Sequence, residues 1–113
     1  MVLDKSSFGS VIASARKDQK LSQKELAEKI LKEDGQPITP QYLNDIEHDR
    51  RSPSSDYFVR QFAKVLKHAE VTVDLLTALA GVLTEEDRKL VQKADSRQVE
   101  QAFHAFRQTL RKK

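Results

Sequence analysis

Residues 21–51 read LSQKELAEKILKEDGQPITPQYLNDIEHDRR, and two complete helix starts lie within them. Ser22 followed by Glu25 makes a capping box, in which the Ser hydroxyl and the Glu carboxylate each take one orphan backbone N–H. Leu21 and Leu26 stand in the two places of a hydrophobic staple around it. Downstream the arrangement repeats, with Thr39 as N-cap, Pro40 at the first helical position, and Ile38 and Leu43 as staple. A polar connection containing Gly35 joins the two helices.

Working outward, the same signals predict helices along the whole chain. Phe8, Val11, Ile12 and Ala15 fall on one face of a first helix, capped by Ser6 or Ser7 after a polar start. The second helix is expected to run from Gln23 to about Glu33, with Gly35 ending it through a positive φ. The third, residues 40 to about 48, turns Leu43 and Ile46 inward and Gln41, Asn44, Asp45 and His48 outward. Ser54 or Ser55 caps a fourth helix with Phe58, Phe62, Val65 and Leu66 as its apolar stripe. A fifth starts at Thr72 and stops at Gly81. Thr84 opens a sixth with Leu90, Val91 and Ala94 on one side. A last one, from about Arg97, is strongly amphipathic through Val99, Ala102, Phe103, Phe106 and Leu110. No run alternates with period two, so the expected fold is all-α, with a domain over 1–81 and a helical extension over 82–113.

Composition narrows the chemistry. The formal net charge is only +3, but basic residues gather at residues 17–20, at Arg50-Arg51 and at residues 111–113. With no cysteine, thiolate nucleophiles and zinc–sulfur sites are excluded. His48, His68 and His104 share no metal-ligand spacing, so no metal is expected. There is neither a G-x-S-x-G turn nor a Gly-rich phosphate loop, which argues against an enzyme and against a bound cofactor. No stretch approaches the ~20 apolar residues of a membrane span, and the start lacks a signal-peptide core. A cytoplasmic protein without membrane contact is the expectation.

Two capped helices with a polar turn form a helix-turn-helix pattern. Through Ser22-Gln23-Lys24-Glu25-Leu26-Ala27, Ile46-Glu47 and Arg50-Arg51-Ser52-Pro53, the chain resembles the Cro/CI-type (XRE) helix-turn-helix regulators of phages and bacteria. The likeness covers residues 8 to about 81. It implies a lambda-repressor-like, five-helix DNA-binding domain followed by two additional helices, with double-stranded DNA as partner and the nucleoid as location.

Carried over by position, the resemblance implies base contacts from Gln41 and Asp45, with Asn44 and Tyr42 as secondary candidates. Gln suits adenine through N6 and N7; a carboxylate at Asp45 can only accept, as from a cytosine amine. Phosphate contacts fall to Gln23, Lys24, Thr39, Arg50, Arg51 and Ser52. Arg16 and Glu47 match an internal, structural ion pair. Three departures stand out. Residues 31–37 lengthen the usual turn, Pro40 replaces a residue that often reads a base, and Lys20 and Asp49 stand where glycine is common.

One short helix reads only about four base pairs, so a homodimeric regulator, a repressor, is the expected assembly. Val99, Phe103, Phe106 and Leu110 are the candidate dimer interface; packing of that stripe on its own domain is the other reading. The alternative function is an antitoxin-type module whose C-terminal helices hold a protein partner.

Overall fold

In the computed structural model, which describes residues 3–52 and 55–112, nearly every helix begins at a side chain that takes a free N–H. α1 (Phe8–Asp18) starts at Ser7, whose Oγ accepts from Ser10 N at 3.1 Å. α2 (Gln23–Lys29) carries the full capping box, with Glu25 N donating to Ser22 Oγ (3.0 Å) and Ser22 N to Glu25 Oε1 (2.9 Å). Thr39 caps α3 (Pro40–Glu47) through Tyr42 N at 3.1 Å. α4 (Asp56–Leu66) follows Ser55, which makes no side-chain cap bond. Pro53 and the alternative cap Ser54 lie outside the described residues, as do Met1, Val2 and Lys113. α5 (Val73–Ala80) is capped by Thr72 and closed by Gly81 at φ 73. α6 (Glu85–Lys93) starts at Thr84, with three acidic residues in its first turn. α7 (Ser96–Arg111) opens on a second capping box, Asp95 with Gln98. The expected start at Arg97 is therefore a residue late, because the apolar stripe begins at Val99 and the D-x-x-Q signal precedes it.

The second helix differs from expectation. It ends at Lys29, not near Glu33, and Ile30 is already extended (φ −94, ψ 111). Residues 31–37 form a small hairpin instead: Leu31 and Pro37 make an antiparallel bridge, and Lys32 N donates to Gln36 O at 2.7 Å. Gly35, at φ 87, closes the three-residue tip of this hairpin and does not end a helix. α4 ties the hairpin down, as Leu31 N donates to Gln61 Oε1 (3.2 Å) and Tyr57 Oη to Lys32 O (3.2 Å). Ile38 N then donates to Ile30 O at 2.9 Å. Both isoleucines are buried, so the extra residues leave α2 and α3 meeting over the core.

Among the described residues the fold is all-α, with seven helices. The chain forms two compact units, Met1–Val82 and Leu83–Lys113. In the first, Phe8, Val11, Ile12, Leu26, Leu43, Ile46, Val59, Phe62, Leu66 and Leu76 build one core, with Phe8 edge-on to Phe62 at 5.9 Å. Leu3 is buried there too, so the start is not wholly polar. In the second unit, neither α6 nor α7 has a buried residue. Phe103, Phe106 and Leu110 are 40, 45 and 70% exposed.

Candidate nucleic-acid interface

The site grows from the frame that fixes α3. Glu47, on its last turn, is buried and receives a two-pronged bond from Arg16 of α1: Nε to Oε2 at 2.7 Å and Nη2 to Oε1 at 3.0 Å. Arg16 Nη1 also donates to Leu21 O, at the turn before α2. Gln23, at the first position of α2, extends the network by donating Nε2 to Glu47 Oε1 (3.0 Å) and to Asn44 Oδ1 (3.2 Å). Helices α1, α2 and α3 are thereby joined by one set of charge-assisted bonds, which are stronger than neutral ones. A polar cleft of about 650 Å³ opens beside it, with Lys17, Gln23 and His48 in its lining.

A second tie holds the other end of α1. The chain leaves α3 through Asp49 in the left-handed region (φ 58), and its carboxylate accepts from Ser7 Oγ (2.6 Å) and Gly9 N (3.0 Å). Gly9 faces the end of α3 so closely that a Cβ there would lie 2.4 Å from Ile46 O. Lys20, the other residue in a place of glycine, is also left-handed, at φ 60. The sequence reading did not find the tie from Asp49 to α1, and no local pattern announces it.

Against this frame α3 presents an outer edge. Gln41 is exposed, whereas Asn44 and Asp45 are half-buried. Asn44 has its carbonyl oxygen engaged by Gln23. The Asp45 carboxylate meets three donors: Gln41 Nε2 at 3.1 Å, Arg50 Nη1 at 3.3 Å and Arg51 Nε at 3.6 Å. Its backbone oxygen also accepts from Arg50 N and Arg51 N. Arg51 lies over the Tyr42 ring (5.5 Å), and Tyr42 leans on Phe58 (6.5 Å). Gln41, Tyr42, Asp45, Arg50 and Arg51 are thus gathered at one place. Thr39 and Pro40 are exposed at the start of α3, and Lys24 and Ser52 are exposed as well.

The ionisable groups of the frame include one displaced carboxylate. Glu25 lies below the ordinary carboxylate range, first because the Ser22 backbone N–H bonds its ionised form and then because the Ser22 hydroxyl does. An ionised Glu25 keeps the α2 start closed at neutral pH. Among the described residues, no cluster of His, Cys, Asp or Glu is arranged to hold a metal.

Residues 12–67 match the family described as helix-turn-helix. The matched stretch takes in most of α1, all of α2, α3 and α4, and the hairpin between α2 and α3. No curated protein and no solved structure matches the chain.

Proposed function

The chain belongs to the helix-turn-helix family, a family of DNA-binding regulators and not of enzymes, and we propose that it is a sequence-specific repressor acting as a homodimer on a twofold operator. The observation that carries this reading is the outer edge of α3. Gln41 stands exposed beside an arginine pair, on a helix that Arg16, Gln23 and Glu47 lock to its neighbours. Base edges are read well only by side chains held in place, and phosphates are held well by guanidinium groups.

In this reading α3 enters the major groove, where Gln41 reads a base with Asn44 and Tyr42 beside it. Thr39, Lys24 and the backbone N–H of Gln23, whose side-chain amide is taken up by Glu47 and Asn44, meet phosphates at the starts of α3 and α2. Arg50, Arg51 and Ser52 meet them after the end of α3. Phosphate contacts supply salt-dependent affinity, and α3 supplies selectivity. The second unit supplies the twofold. A unit of about 30 residues does not sustain a core alone, and its stripe of half-buried Val99 and exposed Phe103, Phe106 and Leu110 fits a copy of itself. Occupying an operator is enough to block transcription, and a chain built this way acts in the cytoplasm, on the nucleoid. No helix among the described residues is long and apolar enough to cross a membrane.

Fluorescence anisotropy against the DNA upstream of its own gene, at two salt concentrations and with random duplex as competitor, tests the reading. Tight binding that survives the competitor is expected. Binding equal on both DNAs would refute an operator there, and no binding would favour the second reading. That reading, an antitoxin-type module, draws on the same exposed α7 stripe, with a protein partner in place of a second copy.

A further inference from the structure

Asp45 stands where a base reader is expected, yet its carboxylate is already engaged. Gln41 Nε2, Arg50 Nη1 and Arg51 Nε all approach it, and only 19% of its side chain is exposed. An ionised carboxylate has no proton to give, so it can meet the Gln41 amide only through the amide nitrogen. This removes the ambiguity that a near-symmetric amide otherwise has about which way it faces. One N–H points to Asp45, and the second N–H and the carbonyl oxygen stay available as an adjacent donor and acceptor. Adenine offers the complementary pair in the major groove, N7 and the N6 amine. The spacing is i, i+4 on one helix, where such Gln–Asp bonds form readily.

We propose that Asp45 is a positioning residue for base recognition: it orients the Gln41 amide and reads no base of its own. The inference rests on the regulator reading above and refines it. A carboxylate among phosphates also repels them, so Asp45 trades some affinity for selectivity. It holds two guanidinium groups that would otherwise be free to move toward any phosphate.

The test uses the full chain. A preferred duplex is first selected from a random library with the unaltered protein. Binding of every single base-pair variant of that duplex, and of random duplex, is then measured for Gln41→Ala, Asp45→Ala, Asp45→Asn and the Gln41→Ala/Asp45→Ala double substitution. Gln41→Ala and Asp45→Ala are expected to lose preference at the same base pair, by about tenfold, with the double no worse than Gln41→Ala alone. Asp45→Ala is expected to bind random duplex at least as tightly as the unaltered chain, an outcome that a merely damaged fold would not produce. Asp45→Asn, whose amide can accept from Gln41 Nε2 or donate to Gln41 Oε1 and so no longer fixes the orientation, is expected to lose part of the preference at that same base pair. If Asp45→Ala relaxes a different base pair from Gln41→Ala, and the two effects add, Asp45 is itself a reader and the proposal fails. Equal loss on selected and random duplexes also overturns it, leaving Asp45 a scaffold residue. Failure of the unaltered chain to select any duplex would instead overturn the regulator reading.

Discussion

Arg16 and Glu47, 31 positions apart, meet edge to edge with only 11 and 3% of their side chains exposed. The pair joins α1 to the end of α3; Arg16 Nη1 also donates to Leu21 O, and Glu47 Oε1 also accepts from Gln23 Nε2. Removing one member strands the other's charge in a site that water reaches poorly. Glu47→Ala is therefore expected to lower the unfolding free energy by about 3–5 kcal/mol. Urea denaturation checks this, and a loss below about 1 kcal/mol would mean the pair is solvated in solution.

Gly9 is the residue whose absence of a side chain brings the start of α1 against the end of α3. A Cβ would sit 2.4 Å from Ile46 O and 2.7 Å from Glu47 O, and both are backbone atoms that cannot rotate away. Gly9→Ala must push α1 off α3 and stretch the bond from Gly9 N to Asp49. The gain in helix propensity, about 1 kcal/mol, is too small to offset a shift of packed helices. A net destabilisation of about 1–3 kcal/mol is expected, read from the thermal midpoint. A variant as stable as the unaltered chain would show that the two helices have room to part.

Much of this architecture could be read in the chain because helix starts are local. Ser22, Glu25, Thr39, Pro40 and Thr72 act within one turn of their own backbone, so their roles survive whatever the rest of the fold does. The end of α2 is a tertiary matter. Residues 23–33 keep a helical pattern, but Gln61 and Tyr57 of α4 bind the backbone at Leu31 and Lys32 in an extended form. Gly35 takes the positive φ that its residue type predicts, but closes a hairpin tip and does not end a helix. The Gln41–Asp45 bond was available as an i, i+4 spacing. Gly9 was not available at all, since a glycine inside an apolar helix shows nothing of what lies across from it.

Acid should loosen the start of α2 by a route that can be isolated. Glu25 has a folded-state pKa below its ordinary value, through the Ser22 N–H and hydroxyl. Its contribution is present above the unfolded pKa and is lost as pH falls through the lower, folded one. Glu25→Gln keeps an oxygen for the Ser22 N–H and has no proton to gain. The thermal midpoint of Glu25→Gln is thus expected to fall less between pH 5 and pH 3 than that of the unaltered chain. Parallel decline of the two would show that the capping box does not titrate.

In the proposed reading the apolar stripe of α7 is the surface on which a second copy packs. Val99, Phe103, Phe106 and Leu110 are spaced 4, 3 and 4, the seam of a helix that packs on another helix. Phe103 and Phe106 lie edge to face at 6.5 Å and keep two-fifths or more of their surface exposed. Placing a carboxylate in such a seam leaves an unpaired charge wherever the partner helix sits. Phe103→Glu is expected to sediment as a monomer where the unaltered chain sediments as a dimer. With the twofold gone, binding to a full operator should fall to the level of one half-site, because the second half-site contact is no longer intramolecular. Binding to an isolated half-site should be unchanged, since α3 is untouched. A dimer that survives Phe103→Glu would place the interface on another surface. An unaltered chain that is already monomeric would mean that α7 awaits a different protein.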